Sequence, residues 1–166
     1  MSTAIDHPVG AAETDDRNAN DLLSKVVRLL GGERILKHTI TTKLDAHSVI
    51  SEGFPNDVLN SLITKVPELK DPSFLRSALG VSARTTQRKN SQGTILTAEQ
   101  SSKAWNFAEI LTQAESVFGS QQEGMRWLNE PAFALEGKRP IDLLSTSAGS
   151  EVVKDLLTKL EYGVYA

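Results

Sequence analysis

The last third of the chain, residues 114–166, is divided by glycine and proline into short segments. Gly119 is placed to end one helix, because glycine tolerates the left-handed conformation that closes helices. Pro131 and Pro140 can each open another helix at its first position, and Gly137 favours a turn between them. Because these restrictions on the backbone follow one another closely, the sequence predicts a compact set of short helices.

The C-terminal segment combines an amphipathic helix with an aromatic stretch. Between Ser147 and Tyr162 apolar and charged residues recur with the period of an α-helix, and residues 161–166, Glu-Tyr-Gly-Val-Tyr-Ala, follow directly. Two interpretations stay open from the residues alone. Tyr162, Val164 and Tyr165 either cap the chain's own core or form an apolar plug for a partner's cleft. The apolar side of the predicted helix consists of Val153, Leu156, Leu157 and Leu160.

Composition narrows the class of protein. The 166 residues, 39% of them hydrophobic, suffice for one or two small domains with a buried core. No run approaches the roughly 18 apolar residues of a membrane-spanning helix, and the first residues lack the features of a signal peptide, so we expect a cytoplasmic protein. The absence of cysteine excludes disulfides and thiolate catalysis. His7, His38 and His47 lack paired metal-ligand spacing, so we expect neither a metal nor a cofactor.

Charge is distributed unevenly along a chain whose formal net charge is −3. Residues 73–103 contain five basic residues and one acidic residue, whereas residues 104–166 contain five basic and nine acidic residues. A basic segment suits phosphate groups, and an acidic segment suits a different partner. The sequence therefore predicts two binding surfaces, of which the acidic one suits a protein.

The first half of the chain contains several predicted short helices. Residues 1–20 are polar, acidic and without periodicity, which favours a disordered tail. Asp21 can cap a helix that ends at Gly31 and Gly32, and residues 35–44 are predicted to be irregular or helical. Two further helices are predicted, one capped by Asp45 and closed by Gly53, and one opened by Pro55 and stopped before Pro67.

A segment in the middle of the chain has the pattern of a helix-turn-helix. A first helix would end at Gly80, Val81 would fill the core beneath the turn, and Ser82 would cap a second, basic helix. Two positions depart from the usual pattern, since Arg76 stands where a small residue is common and Thr86 where an aliphatic one is common. The alternative is a basic, solvated helix within a scaffold.

The longest predicted helix begins at Thr97 or its neighbours. Apolar residues occupy more than one of its faces, which indicates a helix that is central in the fold or buried in a dimer. We therefore predict a homodimer formed through helices rich in Trp105, Phe107 and Phe118. The main apolar face consists of Ala104, Phe107, Ala108, Leu111, Ala114 and Phe118, with Trp105, Ile110 and Val117 partly outside it.

The spacing of residues in the C-terminal third resembles that of a known family, the toxin-binding domain shared by the Xre, MbcA and ParS antitoxins of bacterial toxin–antitoxin pairs. The residues that carry the resemblance are Glu115-Ser-Val-Phe-Gly119, Arg126-Trp-Leu128, Pro131, Leu135, Gly137, Arg139-Pro-Ile-Asp-Leu-Leu144, Thr146, Gly149 and residues 161–166. Upstream, the chain also looks like the Xre branch, so the resemblance covers residues 22–166. The upstream motifs are Leu30-Gly-Gly32, Gly53-Phe-Pro55, and Leu79-Gly-Val-Ser82 with Arg84-Thr85.

This resemblance implies a partner and two kinds of contact. It implies a RES-type toxin, which depletes NAD and is blocked by the antitoxin at or near its active site. It also implies that the complex represses its own operon through the helix-turn-helix. The residues expected to meet operator DNA are Ser82, Arg84, Thr85, Arg88 and Lys89. The residues expected to meet the toxin are Leu157, Leu160, Glu161, Tyr162, Gly163, Val164, Tyr165 and Ala166.

The patterns together predict an all-α fold in three parts. We expect a tail at 1–20, a helical domain at 21–103 with the helix-turn-helix at about 72–90, and a compact helical toxin-binding domain at 104–166. One alternative is a stand-alone helix-turn-helix transcriptional regulator, which would leave the acidic C-terminal part without a role. An enzyme is disfavoured because the sequence has no glycine-rich phosphate loop, nucleophile elbow or metal motif.

Overall fold

The computed structural model describes residues 10–88 and 93–163. Within these ranges every regular element is helical, and the one strand-like contact is an antiparallel bridge between Pro55 and Ile95. The prediction of an all-α fold is therefore confirmed. In chain order the helices are α1 (Gly10–Leu29), α2 (Glu33–Leu36), α3 (Lys43–Glu52), α4 (Asp57–Lys65), α5 (Pro72–Leu79), α6 (Ala83–Arg88), α7 (Ala98–Phe118), α8 (Gln121–Asn129), α9 (Pro140–Leu143) and α10 (Ser147–Glu161), with 3-10 turns at Pro67–Lys70 and Phe133–Leu135.

The helix α7 lies at the centre of the fold, as its apolar pattern predicted. Its start is fixed by a capping box, in which the Thr97 hydroxyl accepts a hydrogen bond from the Gln100 N–H and the Gln100 amide oxygen accepts one from the Thr97 N–H, both at 3.1 Å. Its end is set by Gly119, which has a φ of 91° and donates its N–H to the Glu115 carbonyl. Between these ends α7 packs against α1, α3, α5, α8 and α10.

The aromatic side chains of α7 fill the core of a single chain. Phe107 is fully buried, Trp105 is 7% exposed, and the Phe118 ring lies 5.3 Å from the ring of Trp127 on α8. The expectation that these residues form a dimer surface is therefore wrong for Trp105 and Phe107, whereas Phe118 is only half-buried. The sequence showed more than one apolar face, and the neighbouring helices of the same chain, rather than a second copy, cover those faces.

The helix α8 folds back along α7 immediately after Gly119. The two helices approach closely at Gly124, where an added Cβ would lie 3.0 Å from the Glu115 nitrogen and 3.2 Å from the Ala114 Cβ. Glycine therefore allows α8 to pack against the backbone of α7, and Met125 and Leu128 are buried in the same contact region.

The helix α10 runs parallel to α7 along another side. Lys154 contacts Asn106 and Glu109 of α7, and Thr158, one turn later, accepts a hydrogen bond from the Gln113 amide at 3.0 Å. Because the residue numbers on α7 and on α10 increase together along these contacts, the C-terminal end of α10 lies beside the C-terminal end of α7.

The first helix begins earlier than its sequence pattern suggested. Residues 10–20, which we expected to be a disordered tail, form the first part of α1, and residues 1–9 lie outside the described ranges. Asp21 is inside the helix and pairs with Lys25 at 3.0 Å instead of capping it. No proline or glycine stands between residues 11 and 29, so the helix nucleated by the buried second half continues toward the N-terminus.

The predicted end of α1 at two glycines is confirmed. The Gly32 N–H donates to the Val27 carbonyl at 2.8 Å, and the Gly31 N–H donates to the Arg28 carbonyl at 3.1 Å. This pair of hydrogen bonds is the Schellman motif, and the φ of 112° at Gly31 is the conformation that the motif requires of glycine.

Three predicted helix starts differ in the structure. Asp45 does not cap α3; Thr42 is the cap, and the Asp45 carboxylate accepts a hydrogen bond from the Thr42 N–H at 2.8 Å. Pro55 lies two residues before α4, and Pro131 precedes a 3-10 turn. Proline is compatible with the extended segment before a helix as well as with its first position, so proline alone does not fix the start. Pro140 does open α9, as predicted.

Candidate functional site

The start of α10 is fixed by a hydroxyl cap and by close packing. The Thr146 hydroxyl accepts a hydrogen bond from the Gly149 N–H at 3.1 Å, and the Ser150 hydroxyl donates to the Thr146 carbonyl at 3.0 Å. Gly149 also lies against the end of α9, because an added Cβ would be 2.1 Å from the Leu143 carbonyl oxygen. The position of α10 is therefore determined at its first turn.

The inner face of α10 holds the helix on α7. Val153 and Leu157 are fully buried and Leu156 is 7% exposed. Beside them, the Lys154 ammonium donates to the Asn106 amide oxygen at 3.1 Å and pairs with the Glu109 carboxylate. Leu157, one of the expected toxin contacts, is therefore buried in the core, where it packs α10 against its neighbours and is not accessible to a toxin.

The outer face of α10 is exposed and carries more acidic than basic side chains. Its exposed charged residues are Glu151, Asp155 and Glu161, which are acidic, and Lys159, which is basic. Leu160 is only half-buried, and Val152 is 49% exposed. A surface of this charge suits a basic partner.

The end of α10 places Tyr162 in solvent. The Tyr162 N–H donates to the Thr158 carbonyl at 3.1 Å and the Gly163 N–H donates to the Leu160 carbonyl at 3.2 Å, so the backbone of both residues is held. Even so, Tyr162 is 70% exposed. Of the two interpretations left open by the sequence, a cap on the chain's own core is therefore wrong for Tyr162. Val164, Tyr165 and Ala166, which complete the expected toxin contacts, lie outside the described residues.

The segment around α6 has the local structure expected from its sequence. Gly80 ends α5 with a φ of 63° and donates its N–H to the Arg76 carbonyl at 2.9 Å, and Val81 is 3% exposed. The Ser82 carbonyl accepts from the Thr86 N–H at 3.3 Å, which places Ser82 at the capping position of α6.

The candidate DNA contacts are only partly described by the structure. The Arg84 side chain is exposed on α6. Thr85 and Arg88 belong to the same helix, but only their backbone is described, and Lys89 lies outside the described residues.

One surface residue was missed by the sequence patterns. Phe133 is fully exposed, on the 3-10 turn between α8 and α9. No periodicity marks it, because its exposure depends on how the surrounding turn is held against the core. Pro131 and Gly137 signalled a turn in this region but not which side chain it would present.

The described ranges hold no group of three or more histidine, aspartate or glutamate side chains arranged to bind a metal ion. None of the helices in those ranges is long and apolar enough to cross a membrane. The described residues thus form an all-helical protein in which the outer face of α10 is exposed and carries more acidic than basic side chains.

Comparison with known proteins shows which family this chain resembles. Residues 113–163 match the family described as antitoxin Xre/MbcA/ParS C-terminal toxin-binding domain. An "Antitoxin Xre" of Yersinia enterocolitica is 30% identical over 120 residues, which are 70% of this chain and 78% of that protein. An "Antitoxin Xre" of Pseudomonas putida is 25% identical over 75% of this chain and 76% of its own length. The "Prs ADP-ribosylating antitoxin" of a Sphingobium species is 27% identical over 74% of this chain and 82% of its own length.

The chain belongs to the Xre family of antitoxins. It is therefore an antitoxin of a toxin–antitoxin system, with a toxin as its partner. Because its relatives are named as antitoxins, the expectation that the chain is not an enzyme is confirmed.

Proposed function

We propose that this antitoxin neutralises a RES-type, NAD-depleting toxin by placing the end of α10 and residues 161–166 against the toxin's active site. The toxin class follows from the resemblance of the chain to the Xre branch of the family. The proposed position of the contact is supported by the structure of α10, whose inner face is buried and whose last residues, Glu161 and Tyr162, are exposed.

The single observation that carries this proposal is the exposure of Tyr162. An aromatic side chain that is 70% exposed at the end of a firmly docked helix gives a partner a large contact area at a small entropic cost. A toxin that acts on NAD binds an anionic dinucleotide, so its cleft is expected to be basic. The acidic outer face of α10, with Glu161 at its end, is complementary to such a cleft.

Two variants test the contact. Deletion of residues 161–166 should abolish protection from the toxin in cells, because it removes the segment proposed to occupy the active site. Tyr162→Ala should weaken binding of the purified toxin while leaving the melting temperature unchanged, since the exposed ring contributes little to the core. Full protection by a folded deletion variant would refute the proposal and direct attention to the outer face of α10.

We also propose that the complex represses its own operon through α6. The support is the helix-turn-helix pattern, the capping position of Ser82 and the exposed guanidinium of Arg84. Ser82, Thr85, Arg88 and Lys89 complete the proposed DNA contact.

Replacement of Arg84 by alanine tests this role. It should weaken binding to the promoter fragment and reduce the slope of log K against log salt by about 0.9 for each lost phosphate contact. Arg34→Ala is a matched control, because Arg34 is an equally charged, exposed residue on α2. Equal effects of the two substitutions would show that only net charge matters and would reject α6 as the DNA-reading helix.

We propose, finally, that the antitoxin acts in the bacterial cytoplasm as a homodimer within a larger complex with its toxin. Trp105 and Phe107 of α7 are buried within one chain, so a dimer would have to use a surface other than these two rings. Light scattering of the free antitoxin at micromolar concentration tests this, and the mass of a single chain would refute it.

A further inference from the structure

Phe133 is the most exposed of the large hydrophobic side chains in the described residues. It is 100% exposed, compared with 73% for Leu44 and 70% for Tyr162. A phenylalanine ring carries on the order of 150–250 Å² of mostly apolar surface, so leaving it in water is unfavourable for the free protein.

The turn that carries Phe133 is closed by its own backbone hydrogen bonds. We call residues 130–138 the presenting loop. Within it, the Ala132 N–H donates to the Lys138 carbonyl at 3.1 Å, and the Gly137 N–H donates to the Ala132 carbonyl at 3.0 Å. Leu135, two residues after Phe133, is only 6% exposed and holds the loop on the core. The backbone on either side of Phe133 is thus fixed while its ring points outward.

Arg139 joins the two ends of the presenting loop. Its guanidinium donates to the Asn129 amide oxygen at 3.1 Å and to the two carboxylate oxygens of Asp142 at 2.8 and 2.9 Å. The hydrogen bonds and charge of Asp142 raise the pKa of Arg139 above its ordinary value. Arg139 therefore connects the end of α8 to the start of α9, and the loop between them keeps its shape.

We propose that Phe133 is an anchor residue that enters an apolar pocket on the cognate toxin, as a second contact besides the end of α10. The presenting loop lies within residues 113–163, which match the toxin-binding domain of the family, so the toxin is the partner that this surface faces. The exposed, charged side chains of Glu136 and Lys138 belong to the same loop and pair with each other at 3.6 Å. A fully exposed aromatic side chain on a well-held backbone, in a loop that also carries charged residues, suits an interface hot spot.

The two contacts are carried by elements that are packed on the same central helix. Thr158 of α10 accepts a hydrogen bond from Gln113 of α7, and Tyr162 follows about one turn later. Gly124 of α8 lies beside Ala114 of α7, and the presenting loop follows the end of α8.

The test rests on the proposed toxin partner and compares matched variants with the purified toxin encoded beside this antitoxin. Phe133→Ala should raise the Kd at least tenfold and leave the melting temperature unchanged, because the ring contacts solvent in the free protein. Leu44→Ala is the control: Leu44 is 73% exposed on α3, outside residues 113–163, and its replacement should leave the Kd unchanged. Phe133→Leu should keep most of the affinity, since a leucine can still fill an apolar pocket.

Three outcomes of the measurements on the variants would overturn the inference. Unchanged affinity of Phe133→Ala would mean that the toxin does not use the ring. Equal weakening by Phe133→Ala and Leu44→Ala would mean that any exposed apolar side chain has the same effect. A change in the oligomeric state of the free antitoxin, with unchanged toxin affinity, would assign Phe133 to contact with a second copy. Failure of the wild-type chain to bind the toxin would instead refute the proposed partner, and this inference with it.

Discussion

Replacement of Gly149 by alanine should destabilise the protein, although alanine is the better helix former. Gly149 is in the first turn of α10, and a Cβ added there would lie 2.1 Å from the Leu143 carbonyl oxygen and 2.9 Å from the Leu143 carbonyl carbon. Both are backbone atoms, so no side-chain rotation can make room. The first turn of α10 or the end of α9 must move.

The expected magnitude follows from two opposing effects. Helix propensity favours alanine over glycine by up to about 1 kcal/mol. Overpacking of a close contact costs about 1–3 kcal/mol and more where the backbone must shift. With the contact this short, we expect the upper part of that range and a net loss of about 2 kcal/mol. For a chain of 166 residues this corresponds to a fall in Tm of about 4–8 °C.

Thermal unfolding of Gly149→Ala and two controls checks this reasoning. Ser147→Ala changes an exposed residue in the same turn and should alter Tm little. Gly124→Ala should have an intermediate effect, because the nearest atom to its added Cβ is 3.0 Å away instead of 2.1 Å. A Gly149→Ala variant at least as stable as the wild type would refute the argument that the approach of α9 and α10 requires glycine.

Two further substitutions should report on the cap of α5 and on the docking of α10. Hydrogen bonds from the Ser73 hydroxyl and from the Phe74 N–H lower the pKa of Asp71 below its ordinary value. The ionised carboxylate therefore stabilises the fold at every pH above the pKa that Asp71 has in the unfolded chain. This stabilisation is lost as the pH falls through the lower pKa that Asp71 has in the folded chain. Asp71→Asn should therefore lower Tm at neutral pH, with the difference from wild type disappearing in acid. Lys154→Ala should cost about 1–2 kcal/mol, measured by urea unfolding, because it leaves the partly buried Glu109 carboxylate without its cation.

The helix ends closed by glycine and the cap of α7 were predictable from sequence, because short-range chemistry determines them. Gly80 and Gly119 end α5 and α7 with positive φ angles, and Thr97 caps α7 with its hydroxyl. Each depends on a hydrogen bond to a residue a few positions away, which a linear pattern contains. The prediction that Asp45 caps α3 was wrong, although Asp45 does take part in the cap. Thr42 and Asp45 belong to one capping box, and the sequence pattern did not show which of the two is the capping residue.

Features set by tertiary packing could not be obtained from the sequence. The pattern placed Leu157 on the apolar side of α10 but did not show that α7 would bury it completely. The apolar pattern of α7 led to the prediction that Trp105 lies in a dimer surface, because the pattern did not show that helices of the same chain cover α7. The hydrogen bond from Arg139 to Asn129, which joins the two ends of the loop that carries Phe133, could not be predicted because nothing in the sequence marks these two residues as partners.

The central position of α7 bears on how the proposed toxin and DNA surfaces are connected. The expected boundary between residues 103 and 104 falls inside this helix. Before the boundary, the Ser101 hydroxyl accepts a hydrogen bond from the Phe54 N–H at 2.8 Å, and after it Lys154 of α10 contacts Asn106 at 3.1 Å. The buried residues form a continuous core cluster from Val26 to Leu157.

Because one rigid helix belongs to both parts, we expect a single cooperative unfolding transition by calorimetry, with equal calorimetric and van't Hoff enthalpies. Two resolved transitions would mean that the parts fold separately and that α7 does not couple them.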